Sequence, residues 1–309
     1  MRITLTAGNA ARSFAGLPTK PILAAALLAA ALSFATASSA QDGLTASPAA
    51  PAPKAAAVPV NLNITPKRLT LARGQRTAIA HIFNRGDTTA TFDITLVDRV
   101  MTESGEIVPA GEAAAASAGL HSAREMIVVS PRRVTLAPGK GQTIRLRVIA
   151  PAHASVPEYR THLTVTTLPP PTAGLTAEDA AARRAGQLSV RVNSVFGVSI
   201  PVIVRPGAVT AAGEIRNVRV GPNAAAPALH FDLARTGTGS LFGNVEIRSR
   251  TRGRLGNAIG LGVYTEIGKR SVRIPLQRSP LSGEELEIAF TDDDTAPGRL
   301  LAKTTYRVP

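Results

Sequence analysis

The chain has 309 residues, no cysteine and no tryptophan, and its 35 Lys and Arg against 21 Asp and Glu give a formal net charge of +14. The absence of cysteine excludes disulfides, thiol catalysis and cysteine-ligated metal sites. A basic chain suits nucleic acid, an anionic envelope surface or acidic partners. Here the charge is spread along the chain and only 4% of residues are aromatic, which disfavours stacking on nucleic acid.

The first 40 residues have the three parts of a secretory signal peptide. Residues 1–20 hold three basic side chains and no acid, and residues 21–35 form an almost unbroken apolar run. Ser38 and Ala40 are the small residues that would flank cleavage after Ala40. We therefore expect export. A retained membrane anchor is the alternative, although the apolar run is shorter than the span of about 20 residues that a bilayer requires.

Residues 41–59 are rich in Ala and Pro without any period, and this composition predicts a disordered linker. From Val60 onward apolar residues recur at every second position, in short segments separated by turns rich in Gly, Pro and Asn. Such segments predict β-strands and, by their spacing, β-sandwiches. The predicted strands are 78–83, 91–97, 134–136, 143–148, 162–166, 229–233, 243–249, 269–276, 285–290 and 300–308.

Two segments interrupt this pattern. Ala110–Glu125 is rich in alanine and predicts a loop or a short helix, and residues 169–186 begin with three prolines and predict a flexible loop. Pro206-Gly207 ends the first run of strands. We therefore expect an all-β protein with one sandwich domain in residues 60–206 and a second in residues 207–309.

Leu188–Arg205 is the longest alternating segment, and Ser194 is the only polar residue in its even-numbered row. An unbroken strand of this length would extend on the order of 60 Å, beyond what one small sandwich covers. Pro201 cannot donate a ladder hydrogen bond and so indicates an edge or an end of pairing. The strand is either fully paired internally, paired with a second copy in a homodimer, or kept open for a client strand.

No catalytic constellation stands out, and we expect neither an enzyme nor a cofactor. None of the five histidines has the spacing of a metal site, and no GxSxG motif occurs. Asp292-Asp293-Asp294 lies near Glu284, Glu285 and Glu287. Consecutive acids rarely surround one cation, so a solvated turn is favoured over a calcium site.

Four segments between Asn61 and Arg205 carry a family resemblance. They are Ile64–Leu71, Ser130–Gly139 running into Gln142–Leu146, Glu158–Leu163 closing at Leu168-Pro169, and the long strand that ends at Val204-Arg205-Pro206. Their order and spacing, with a loop of variable length before the long strand, resemble the N-terminal immunoglobulin-like domain of the PapD-like family of periplasmic pilus chaperones. The last hundred residues fit this family only as a second sandwich in the expected place.

The resemblance implies two immunoglobulin-like domains, a periplasmic location and a mechanism. Such chaperones lend their seventh strand to a pilus subunit, and alternate side chains fill the groove of that subunit. The implied partners are pilus or other surface subunits and an outer-membrane usher, with no nucleic acid. The implied groove-filling residues are Val190, Val192, Ser194, Phe196 and Val198.

The family also anchors the carboxylate of the subunit on two basic residues between the domains. Arg68 stands where the first is expected, although a plain surface arginine is the alternative. Ser199, Ile200 and Pro201 stand where the second, a lysine, is expected. We expect structural roles for Arg160 and His162. A structural envelope protein that binds anionic polymers or scaffolds a secretion apparatus is the alternative function.

Overall fold

A computed structural model of the protein describes residues 62–149, 155–169, 195–223 and 225–309. The predicted signal peptide at 1–40, the predicted linker at 41–59 and the predicted loop after Pro169 lie outside the described residues. The first part of the predicted long strand, with Val190, Val192 and Ser194, lies outside them too. In the described ranges, no helix has the length and apolar character needed to span a bilayer.

The described residues are almost entirely strands and connecting turns. The strands are β1 (Leu62–Thr65), β2 (Leu69–Leu71), β3 (Thr77–Asn84), β4 (Ala90–Val97), β5 (Arg99–Met101), β6 (Ile107–Pro109), β7 (Ile127–Ser130), β8 (Arg133–Leu136), β9 (Gly141–Val148), β10 (Tyr159–Leu168), β11 (Gly197–Val204), β12 (Gly213–Val220), β13 (Ala228–Arg235), β14 (Leu241–Ser249), β15 (Gly253–Val263), β16 (Lys269–Pro275), β17 (Glu285–Asp292) and β18 (Leu300–Arg307). Each strand predicted by alternation coincides with one of these strands, apart from the residues at its ends.

Ala110–Glu125 contains the short helical segments that its composition allowed. Ala110–Glu112 and Arg124–Met126 form single 3₁₀ turns, and α1 runs from Ala114 to Ala118. Of the predicted long strand, β11 covers only Gly197–Val204, so its upstream part stays a prediction.

The first sandwich packs the four-stranded sheet β1-β3-β9-β7 against the five-stranded sheet β2-β11-β10-β4-β8. This is the immunoglobulin arrangement, with the first strand divided between the two sheets as β1 and β2. Alternation explains the packing, because every second residue of a strand faces the same side. The core between the sheets includes Ile82, Phe92, Ile144, Leu163 and Val202.

The second sandwich packs β12-β13-β16 against β15-β14-β17-β18. Phe231 and Phe290 are the largest side chains that are fully buried in its core. Two residues that precede the second sandwich in the chain, Met101 of the β5–β6 hairpin and Ile203 of β11, belong to this same core. The two sandwiches therefore share apolar packing, while the domain bounds at 206 and 207 stay a prediction.

A buried ion pair joins the two sandwiches. The side chains of Arg160, on β10, and Glu266, after β15, are 1% and 0% exposed. Arg160 donates from Nη1 to Glu266 Oε2 over 2.8 Å and from Nη2 to Oε1 over 2.5 Å, and Met101 donates its N–H to Oε1. The guanidinium carbon lies 3.8 Å from the ring centroid of Tyr264. Arg160 thus has the structural position that we expected from the sequence.

We expect Glu266→Gln to lower the free energy of unfolding by about 3–5 kcal/mol, because Arg160 is left as an uncompensated buried charge. The double variant Arg160→Met with Glu266→Leu should recover most of this loss, since it buries no charge. Arg216→Gln, which removes the exposed pair with Glu214, is the matched control and should change stability little. Urea denaturation measures all three variants, and a Glu266→Gln loss no larger than that of the control would contradict this role.

Candidate functional site

The outer edge of β11 is paired with another strand along only part of its length. On one side β11 pairs with β10 over all of Gly197–Val204. On the other side it pairs with β2 in parallel, but only from Val202 to Val204. Within the described ranges, the edge of Gly197–Pro201 therefore has no strand partner. Such an edge offers unpaired N–H and C=O groups to an added strand.

Apolar side chains stand next to this free edge. Val195 is 57% exposed and Phe196 is 41% exposed. The backbone of Phe196 is held against β10, because its N–H donates to Thr167 Oγ1 over 3.0 Å and its C=O accepts the Thr167 N–H over 2.8 Å. Hydrogen bonding to β10 thus continues one residue upstream of β11, while the ring of Phe196 is exposed to solvent.

The predicted groove-filling residues differ in burial on either side of Gly197. Phe196 is exposed, whereas Val198 is half-buried and packs against the core of the first sandwich. Ile200 and Val202, further along the same row, belong to that core. The row therefore passes from solvent into the protein's own sandwich as β11 enters the sheet.

A cleft of about 670 Å³ lies between the two sandwiches, at the point where the free edge ends. Pro201 is the last residue of the free edge and also lines the cleft, so that edge and cleft are continuous. The remaining lining residues are Pro66, Lys67, Arg68, Thr70, Phe242, Ile259, Gly260, Tyr264, Asp293 and Asp294.

Arg68 lies in this cleft, but its guanidinium is occupied. Its Nη2 donates to Asp293 Oδ1 over 2.9 Å and to the Asp293 carbonyl over 3.1 Å. Its Nε lies 3.3 Å from Asp294 Oδ1, and its guanidinium carbon lies 4.1 Å from the ring centroid of Phe242. The predicted anchor for a subunit carboxylate is therefore paired with two carboxylates of its own chain.

Arg205 extends the ion pairs of Arg68 further into the buried contact between the two sandwiches, which we call the junction. It donates from Nε to Glu158 Oε2 over 2.9 Å and from Nη1 to Asp294 Oδ2 over 2.6 Å. Glu158 also accepts hydrogen bonds from the backbone N–H and the hydroxyl of Ser240. Arg205 thus connects the end of β11, the start of β10 and the turn after β17.

The expectation of a solvated turn at Asp292-Asp293-Asp294 is wrong. Asp292 is buried and accepts the N–H groups of Asp294 and Ala296 and the hydroxyl of Thr295. Burial raises the pKa of Asp292, but these hydrogen bonds outweigh it and leave that pKa below its usual value. The turn is held rigid by Asp292, and its two other acids face the cations of the first sandwich.

The cleft contains a basic residue that the sequence reasoning passed over. Lys67 is exposed and lines the cleft beside Arg68. The sequence signal was present in Pro66-Lys67-Arg68, at the start of the segment that carries the family resemblance. Pro201, from the long strand, also lines the cleft.

His162 is buried beneath the cleft, opposite Pro201 in the β10–β11 register. Neither ring nitrogen has a hydrogen-bond partner among the described residues. Burial first, and then the nearby cations Arg160 and Arg99, lower the pKa of His162 to about 3. The ring is therefore neutral in the folded protein near pH 7 and at moderately acidic pH.

A His that stays neutral when folded makes stability depend on pH. Below the ordinary histidine pKa of about 6.5, His162 binds a proton in the unfolded chain but not in the folded protein. The free energy of unfolding therefore decreases as the pH is lowered. We expect this group to contribute a loss of about 2 kcal/mol between pH 7 and pH 5. His162→Gln should remove that part of the slope.

The matched control is His81→Gln, at an exposed position of β3, which should keep the wild-type slope. Urea denaturation at a series of pH values measures each slope. Equal slopes for wild-type protein and His162→Gln would show that His162 is not the group responsible.

No group of three or more His, Cys, Asp or Glu side chains in the described ranges is arranged to hold a metal ion. Arginine, lysine and aspartate side chains line the cleft together with apolar ones.

Comparisons with known proteins gave solved structures of low identity. The YadV chaperone is 10% identical over 81% of this chain and 100% of its own, with a TM-score of 0.41. The E. coli chaperone DraB is 12% identical over 81% and 97%, also with a TM-score of 0.41. The CsuC–CsuE chaperone–tip adhesion subunit complex of Acinetobacter baumannii is 14% identical over 81% and 98%, again at 0.41.

No family model and no curated protein matches the chain.

Proposed function

We propose that this protein is a periplasmic chaperone that holds pilus-type surface subunits by donating an edge strand. The observation that carries the proposal is the free edge of Gly197–Pro201, with the exposed ring of Phe196 directly upstream. Export by the predicted signal peptide and the sequence resemblance of residues 61–205 support the same function. The proposed partners are surface subunits and an outer-membrane usher.

Strand addition uses two kinds of contact. Main-chain hydrogen bonds along the edge give affinity with little demand on sequence, and alternate side chains fix the register. Phe196 is the exposed one of the two described members of the proposed donor row, and Val190, Val192 and Ser194 would continue it upstream. Val198 would contribute less, because its side chain is already half-buried in the first sandwich.

The position of the cleft indicates where the added subunit strand would end. A subunit strand that pairs along Gly197–Pro201 arrives at Pro201, which is also a wall of the cleft. The cleft combines apolar walls, such as Ile259 and Tyr264, with basic side chains. We propose that the terminal carboxylate of the subunit enters this cleft while its last strand lies against β11.

A second candidate, a structural protein of the envelope, is favoured by one surface. The strands β1, β3, β7 and β9 contain no acidic residue, and their outward-facing side chains include exposed Arg145 and Arg147. Neither arginine forms an ion pair in the described part of the chain. Such a face would attract anionic polymers, with an affinity that falls as salt is added.

The test of the chaperone function is a charge placed in the donor row. We expect Phe196→Arg to weaken binding of a co-expressed pilus-type subunit by roughly tenfold or more, because an apolar anchor is lost and a charge is buried. Co-purification from the periplasm and slowed aggregation of the refolding subunit are the two measurements.

Val195→Arg is the matched control, since it adds the same charge one residue earlier, in the opposite row. It should bind nearly as wild type. Thermal unfolding checks that both variants keep the fold. Unchanged subunit binding by Phe196→Arg would count against the strand assignment, and binding of envelope polymers without any subunit would favour the second candidate.

A further inference from the structure

Three basic side chains form a row across the outer face of the second sandwich. In the register of β12, β13 and β16, Arg219 lies opposite His230, and His230 lies opposite Arg273. Both arginines are exposed and the histidine is half-buried. Opposed residues of antiparallel strands have Cβ atoms about 4.5–5.5 Å apart, so the three side chains of this basic row are neighbours. Like charges at such positions destabilise a sheet, so the pairing of these strands does not by itself favour the row.

A β-bulge places Arg219 in the basic row. The pairing of β12 with β13 shifts by one residue just before Arg219. Asn217 lies in this shift with a φ of 54°, in the left-handed region, and its Nδ2 donates to Asp232 Oδ2 over 2.9 Å. Val218 packs against the core of the second sandwich. Without the extra residue, Val218 would lie opposite His230 and Arg219 would face the core, so the bulge turns the arginine outward.

The positive charge of the basic row is not neutralised by the protein's own acids. In the described ranges, no carboxylate lies within ion-pair distance of Arg219 or Arg273. Arg216, the preceding arginine of β12, instead pairs with Glu214. The two arginines of the row are therefore available to an anion from outside the protein.

His230 lies between these two cations. Arg219 faces it from β12 and Arg273 from β16, while Asp232, two positions along β13, already accepts hydrogen bonds from two other side chains. Burial first, and then the two arginines, lower the pKa of His230. A Cβ at position 221 would lie 3.1 Å from Nε2 of the ring, and Gly221 leaves that space open. An anion bound across the row would favour the protonated ring instead.

We propose that the basic row binds a phosphate group carried by a water-soluble polyanion. Each guanidinium offers a planar fork of donors, and the imidazole between them becomes a further donor when it is protonated. A phosphate group has three acceptor oxygens and can accept from all three side chains at once, whereas a carboxylate has two. The site lies in the second sandwich and is independent of the proposed strand donation.

The polar character of this face favours a soluble ligand over a membrane. Among the described residues, none of the exposed large apolar side chains lies on β12, β13 or β16. A surface that binds lipid normally buries apolar side chains among the headgroups in addition to pairing its basic ones. The basic row therefore offers charge without an apolar anchor.

Inorganic tripolyphosphate added to the mature protein tests the inference. At constant ionic strength, we expect saturation with this probe to raise the pKa of His230 by about one pH unit, because the bound anion favours the protonated ring. NMR titration of the imidazole protons measures that pKa, with the His230→Gln spectrum as the assignment. His81, on the outer face of β3, should keep its pKa.

Two variants locate the site. Arg219→Gln and Arg273→Gln should each weaken tripolyphosphate binding roughly tenfold, because a charge-assisted contact is lost, and Arg219→Lys should keep most of the affinity. In the ligand-free protein each Gln variant should raise the pKa of His230, because a neighbouring cation is removed. Arg254→Gln, at an exposed position of β15, is the matched control and should change neither quantity. Isothermal titration calorimetry measures the affinities, and thermal unfolding checks the fold.

Each contrary result has a definite meaning. If both Gln variants bind tripolyphosphate as tightly as the wild-type protein, the basic row is not the site and the inference fails. A response of His81 in place of His230 would put the anion on the first sandwich, with the same consequence. If vesicles of anionic phospholipid bind more tightly than tripolyphosphate, and the Gln variants lose that binding, the assignment of a soluble ligand is wrong.

Discussion

The contact on which the site depends is the double ion pair of Arg205 with Glu158 and Asp294. Arg205 follows the last residue of β11 directly, so the same strand that offers a free edge upstream ends in the buried junction. Its guanidinium brings the turn after β17 against β2 and thereby forms one wall of the cleft. Buried arginine and carboxylate groups are costly to leave unpaired, so this arrangement resists separation of the two sandwiches.

The same ion pairs determine which basic side chains already have a carboxylate partner within the protein. The turn at Asp292–Asp294 supplies two carboxylates to the first sandwich, and these occupy Arg68. Arg160 is enclosed even more completely by Glu266. Lys67, which also lines the cleft, has no carboxylate partner among the described residues and donates a hydrogen bond to the side chain of Asn63. The free edge of β11 ends at Pro201, which lines the same cleft as Lys67.

Alternation was sufficient to predict most strands and the sandwich fold, because the period of two survives in β3, β9 and β13. It failed for β15, where Gly253, Gly256, Gly260 and Gly262 remove the apolar row. The structure explains one of these, since a Cβ at Gly256 would lie 3.0 Å from the carbonyl oxygen of Pro275. The junction was beyond local patterns, because Arg68 and Asp293 are 225 positions apart. For that reason a local pattern predicts only a solvated turn at the aspartate triplet.

Amide hydrogen exchange of the protein with and without a co-purified subunit tests the central claim, strand addition at the free edge of β11, most directly. The account predicts slower exchange across Val195–Pro201 in the complex, because added main-chain hydrogen bonds cover that edge. Exchange in β18, which lies at an edge of the second sandwich, should stay the same. Unchanged exchange at Val195–Pro201, with new protection at β18 or on the outer face of β3 and β9, would contradict the account.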